Sequence, residues 1–330
     1  MKQKDERIEY IDFFRAIGII FMVMGHVDFG NRWSDFIHAF HMPMFFFISG
    51  YFFKSYEESR ITFLVFLIKK IKTLLVPYVF FGVGHYIILC IIGEKSVKPL
   101  INLFFINTDG LPIAGALWFL TALFFAEMVI YIIDRFIRNK IIQICIVILV
   151  ALIGNVATQV FSFRLPFALD AAFVGSGFMY VGFLLKNCKI REYILKLSFN
   201  KIIAPLLLNI LLIFINGHIN MREGVYSFIP LFWINSIVFI IIGLNISRML
   251  MNIRVIDKYK KIIIDIGKNS IVYLCLNQIT ILCITKILLK FIEIDIFLSK
   301  ILILLLSMVG LMIITKIITN TKFRIIIGRF

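Results

Sequence analysis

DFFRAIGIIFMVMGHV, residues 12–27, decides the fold class. Arg15 aside, the twelve residues Phe14–Gly25 carry no charge, yet Asp12 and Arg15 open the stretch and His26 closes it. Arg15 and His26 lie 11 positions apart. At about 100° per residue that is roughly three turns plus 20°, so both side chains share one helix face, about 16 Å apart along the axis. A cation and a titratable base on one stripe of an apolar helix read as a path through the protein. The plain alternative is an arginine that snorkels to one interface and a histidine that sits at the other. Arg15 is deep for that, since a charge inside a span costs about 2.5–3.5 kcal/mol on insertion scales.

The rest of the chain agrees with a membrane setting. Apolar residues of the AVILMFWYC set make up 61% of the 330 residues, charged residues 16%, and the mean hydropathy is +0.98. A soluble domain holds about 25% charged residues, and disorder needs the opposite composition. The five cysteines are scattered, without CxxC spacing, which disfavours a disulfide framework. Spanning helices need roughly 20 apolar residues. Ten such runs can be marked, at 9–28, 36–53, 73–92, 116–133, 141–160, 167–185, 202–216, 227–246, 269–289 and 299–317. The expected fold is therefore all-α, a single polytopic membrane domain over 1–330 with about ten transmembrane helices.

Lys and Arg set the orientation. With the N-terminus inside, the alternate connections 1–8, 54–72, 134–140, 186–201, 247–268 and 316–330 hold 26 of the 35 basic residues, the opposite side holds 8, and Arg15 is the remaining one. Both termini are thus expected in the cytoplasm, and the net charge of +16 reads as topology rather than as nucleic-acid binding. The first span is expected to be retained, because Asp12 and Arg15 interrupt it and no small-residue cleavage site follows.

Further polar residues in apolar runs are site candidates by default. His38 and His41, in HAFHMPMFFFISGYFF (38–53), are three apart and on the side of His26. Three histidines could hold a metal, but no carboxylate or cysteine stands at ligand spacing, so catalytic or substrate-orienting roles are favoured. Lys69, Lys70 and Lys72 read either as positive-inside anchors or as a phosphate site for a cytosolic anionic cofactor. Trp118, Glu127, Asp170 and the pair Asn277-Gln278 complete the set, with Glu127 the natural counter-ion of a buried cation and Asp170 placed to meet His26. No phosphate-binding GxxxxGK[ST], G-x-S-x-G, HExxH or dinucleotide glycine motif is present.

Arg15, ten intervening residues and His26 form a pattern that resembles the acyltransferase family 3 membrane proteins. The resemblance continues in order through FHMPMFFFISGYFF (40–53), KKIKTLLVPY (69–78), LWFLTALFFAE (117–127) and GKNSIVYLCLNQ (267–278). In flavour it is most similar to the fucose 4-O-acetylase-like branch. Two positions depart from the pattern: the basic pair, often Arg, is Lys here, and a late position often filled by His is Asn277. The resemblance implies a bacterial cytoplasmic-membrane O-acetyltransferase. It would move an acetyl group from cytosolic acetyl-CoA, without a metal, to a sugar hydroxyl of a surface polysaccharide or its lipid-linked precursor. His26 would be the general base and His41 its assistant. Arg15 with Lys69, Lys70 and Lys72 would hold the CoA. His38, Trp118, Glu127, Asp170 and Asn277 would meet the acceptor. The rival reading is an exporter or flippase of polysaccharide or lipid-linked sugar, which also suits intramembrane charges.

Overall fold

The computed structural model describes residues 8–108, 113–161, 164–291 and 295–329. In chain order the helices are α1 (Glu9–Val27), α2 (Asn31–His38), α3 (His41–Tyr51), α4 (Tyr56–Ser59), α5 (Phe63–Lys70), α6 (Val76–Ile91), α7 (Lys98–Phe104) and α8 (Trp118–Phe136). They continue with α9 (Lys140–Val160), α10 (Leu169–Asn187), α11 (Arg191–Ile194), α12 (Phe199–Asn216), α13 (Ile229–Leu250), α14 (Arg254–Lys268), α15 (Ser270–Phe291) and α16 (Ile296–Asn320). A small antiparallel hairpin, β1 (Ile219–Asn220) and β2 (Val225–Tyr226), lies between α12 and α13. The protein is an all-α polytopic membrane protein. Nine helical stretches among the described residues are long and apolar enough to cross a bilayer.

The tenth expected run, 36–53, is not one helix. Pro43 is the reason. Its ring clashes with the carbonyl four residues back and it has no N–H to offer, so the chain turns at Ala39-Phe40 and restarts with Pro43 in the first turn of α3. The Ala39 carbonyl is taken instead by Ser236 Oγ at 2.6 Å. α3 has 11 residues, ten of them buried, and rises only about 16 Å. It packs on α10 through backbone contact: a Cβ on Gly50 would fall 1.7 Å from the Met179 carbonyl oxygen, and one on Gly182 would fall 2.0 Å from that of Phe47. Small residues of this kind let helices approach where no hydrophobic force drives them together.

The third span also differs from expectation. α5 and α6 form one apolar rod, Phe63–Ile91, that starts ten residues before the expected 73. They are joined by a π-turn, Ile71–Leu75. Pro77 follows it and cannot supply the regular bond. Lys69, Lys70 and Lys72 therefore lie within one helical rod that is longer than the roughly 20 residues a crossing needs.

α8 and α10 are the most buried spans and form the centre with α1 and α3, whereas α12 and α16 are mostly on the outside. α1 packs against α13, α14, α15 and α16. Glu9 at one described end reaches Lys260 of α14 at 3.7 Å, and Arg329 at the other donates to the Lys268 carbonyl at 3.0 Å. Both ends thus meet α14, at the Arg15 end of the bundle.

Candidate active site

The Arg15–His26 stripe of α1 runs alongside two cavities. The one at the His26 end has a volume of about 270 Å³ and brings His26, His38, His41 and Trp118 together. His38 and His41 stand on different helices, not on the shared helix face that their spacing implies. Their rings still meet edge to face at 5.1 Å. A backbone carbonyl fixes each: His38 Nδ1 lies 2.8 Å from Ser34 O, and His41 Nδ1 lies 2.7 Å from Ile37 O.

The hairpin adds residues to this cavity that spacing did not reveal: His218, Asn220, Arg222 and Glu223. Gly217 and Gly224, both at positive φ, let it fold back over the mouth. His218 Nδ1 meets Asp35 at 2.7 Å. Arg222 Nε donates to the Thr108 carbonyl at 3.0 Å, and its guanidinium lies against Gly115, where a Cβ would come within 2.6 Å. Arg164 donates to the Arg222 carbonyl and pairs with Asp170. Asp170 therefore does not reach His26 but anchors the hairpin. Burial raises the Tyr226 phenol beside that pair, with Asp170 reinforcing and Arg164 opposing the shift. The sequence signal for this loop was available: a His and an Arg-Glu pair in a short connection on the His26 side.

The cavity at the Arg15 end has a volume of about 230 Å³. Arg15 meets Asp12 at 3.2 Å and lies over the Phe52 ring at 5.1 Å. Lys268 and Arg329 join Arg15 in the lining, with Asn269 and Ser270. α15 begins at Ser270, so the positive end of a helix opens here beside the cations, the usual arrangement for binding phosphate. Lys268 is part of GKNS, read above only as a motif phrase, and Arg329 was counted as a topology residue.

The basic run lies apart from this lining. Lys70 forms an ion pair with the buried carboxylate of Glu127 at 2.6 Å, and Lys69 and Lys72 are exposed. Glu127 thus does serve as counter-ion to a cation within the bundle, that of Lys70 and not of Arg15. Asn277 is fully buried and donates to the Leu274 and Tyr273 carbonyls at 2.7 and 3.1 Å, so it braces α15 and lines neither cavity.

The two cavities stack end to end. Met22 lines one and Ile19 the other, less than a turn apart on α1; Trp118 and Phe119 divide in the same way on α8. Leu274 lines both and is 5% exposed. A cationic chamber and a histidine chamber thus face each other across a thin apolar waist. No group of three metal-ligating side chains occurs among the described residues.

The family model for the acyltransferase domain of family 3 matches residues 8–319. This chain belongs to that family. No curated protein and no solved structure matches it. The family match covers every element that builds the two chambers except the C-terminal turn that carries Arg329. The chain is thus a membrane acyltransferase by family, and the chambers are where its chemistry is to be sought.

Proposed function

We propose that the protein moves an acyl group, acetyl in the first place, from a CoA thioester to a sugar hydroxyl of a cell-surface polysaccharide or its lipid-linked precursor. The observation that carries this reading is the pair of chambers meeting at Leu274. The cationic chamber suits the CoA phosphates, held by Arg15, Lys268 and Arg329 at the head of α15. It lies at the end where Lys and Arg concentrate, which is the cytoplasmic side by the positive-inside rule. The thioester then extends along α1 past Leu274. The histidine chamber on the far side takes the acceptor, with a neutral imidazole to receive the hydroxyl proton. Arg222, Glu223 and His218 on the hairpin, with His38 and Trp118, offer the polar and aromatic contacts that a sugar ring needs. The reading places the enzyme in a bacterial cytoplasmic membrane.

The test is transfer of radiolabelled acetyl from acetyl-CoA into the extracted glycan and lipid-linked sugar fractions of expressing cells. Wild type is compared with His26→Ala and Arg15→Ala at matched membrane expression. Label in wild type that both substitutions abolish is the expected result. Absence of label in wild type, with surface glycan lost when the gene is deleted, would overturn the reading in favour of export.

A further inference from the structure

Gln278 lines neither chamber, yet its side chain joins His26 to a group whose hydrogen-bonding sense is fixed. The Gly115 N–H can only donate, and it donates to Gln278 Oε1 at 2.5 Å. The amide NH₂ is thereby turned toward His26, with Nε2 lying 3.2 Å from His26 Nδ1. An amide NH₂ can only donate, so His26 Nδ1 holds a lone pair and the neutral ring carries its proton on Nε2. His41 is fixed in the opposite sense. The Ile37 carbonyl can only accept, so His41 Nδ1, at 2.7 Å from it, carries the proton and Nε2 keeps the lone pair. Two histidines of one chamber thus differ: one presents an N–H, the other a base.

We infer that Gln278 is a positioning residue that divides the work between them, His41 acting as general base and His26 as hydrogen-bond donor to the thioester oxygen. The inference rests on the acyl-transfer reading above and exchanges the roles that the family resemblance suggested. The acceptor hydroxyl gives its proton to His41 Nε2 as its oxygen bonds to the thioester carbonyl carbon. The carbonyl oxygen gains charge and accepts from His26 Nε2–H. Collapse re-forms the carbonyl and breaks the carbon–sulfur bond, and the leaving sulfur takes the proton from His41. Ester and thiol are the products, and both rings return to their starting state. Because Gln278 keeps the lone pair off His26 Nε2, that atom is no nucleophile.

Gln278→Glu is the deciding variant because it keeps the shape. Gly115 still donates to one carboxylate oxygen. The other oxygen can only accept, so it draws the His26 proton to Nδ1 and bares the lone pair at Nε2. Acetyl transfer from labelled acetyl-CoA to the extracted lipid-linked sugar and glycan fraction is measured against donor concentration. The expected result is a fall in kcat of about 10²–10³-fold, that of a lost oxyanion donor, with KM for acetyl-CoA unchanged. If His26 is the base, the same substitution builds the carboxylate–imidazole pair of a hydrolase triad. Wild-type or higher kcat in Gln278→Glu would therefore overturn the inference. Gln278→Met is the second variant, should the first fail to fold. It removes the donor without imposing the other tautomer, and an intermediate kcat is expected, whereas full kcat would overturn the inference too. Inactive wild type would instead sink the transfer reading itself.

Discussion

Leu274 is the side chain on which the two-chamber reading can be broken most directly. Leu274→Ala removes three carbons from a residue that is 5% exposed. At about 0.8 kcal/mol per carbon the lost burial comes to roughly 2.4 kcal/mol. The space left holds on the order of two waters, about 60 Å³, and at about 24 cal/mol per Å³ this adds roughly 1.4 kcal/mol. The total of about 4 kcal/mol is an upper figure, because the new space adjoins cavities and is not sealed. The functional effect has the opposite sign. With the waist widened, water follows the pantetheine arm and reaches the thioester from both sides of position 274. Thiol release from acetyl-CoA by the purified protein without acceptor is expected to rise on the order of tenfold, which needs only about 1.4 kcal/mol off the barrier. Leu274→Phe fills the waist and is expected to abolish release and transfer alike. The assay is continuous thiol titration in detergent, with the thermal midpoint recorded for each variant. A folded Leu274→Ala with unchanged thiol release, together with an active Leu274→Phe, would refute the idea that the cavities communicate there.

Glu127→Gln leaves the Lys70 ammonium without its carboxylate; it is expected to lower stability by roughly 2 kcal/mol, less than the ~3–5 kcal/mol of a fully buried pair because Lys70 keeps some solvent access. The double variant Lys70→Met/Glu127→Leu should recover the thermal midpoint of the detergent-solubilised protein. Asp170→Asn loosens Arg164 and with it the hairpin, so KM for the acceptor should rise while KM for acetyl-CoA stays put, as initial rates at varied concentrations of each substrate will show. Arg329→Ala should do the reverse, raising KM for acetyl-CoA about tenfold, as expected for one charge-assisted hydrogen bond of about 1.5–3 kcal/mol, with kcat little changed.

The spans were legible because the bilayer imposes length and apolarity on every crossing. Nine of the ten expected runs are single helical stretches. The exception shows the limit of the rule: 36–53 is apolar throughout, but Pro43 breaks it, and protein rather than lipid receives the freed Ala39 carbonyl. The helix of the third span runs back past the lysines to Phe63, and Lys70 finds a partner within the protein in Glu127. Within the site, Arg15, His26, His38, His41 and Trp118 stood out as polar or aromatic residues in apolar surroundings. Their division between two chambers follows from α1, whose geometry is periodic. Lys268 and Arg329 were hidden because loop and terminal charges look alike until the chain folds, whereas His218 and Arg222 carried a signal in their short connection. Asp170 and Asn277 are buried polar groups, which must find partners, and those the structure gives them are Arg164 and the α15 backbone.

The waist has a consequence for bioenergetics. Ile19, Met22, Phe45, Leu120 and Leu274 line its two sides, and none of them can relay a proton. If transfer runs as proposed, a proton taken from the acceptor hydroxyl on the far side would therefore return as the hydrogen of the CoA thiol, carried back on the pantetheine arm. On the acyl-transfer reading proposed above, an acyl group would leave the cell and a hydrogen enter it, each as part of a neutral bond, so no net charge would cross in a turnover. The membrane field, worth about 2.3 kcal/mol per elementary charge per 100 mV, would then neither drive nor brake the transfer step, so collapsing the potential should leave its rate unchanged.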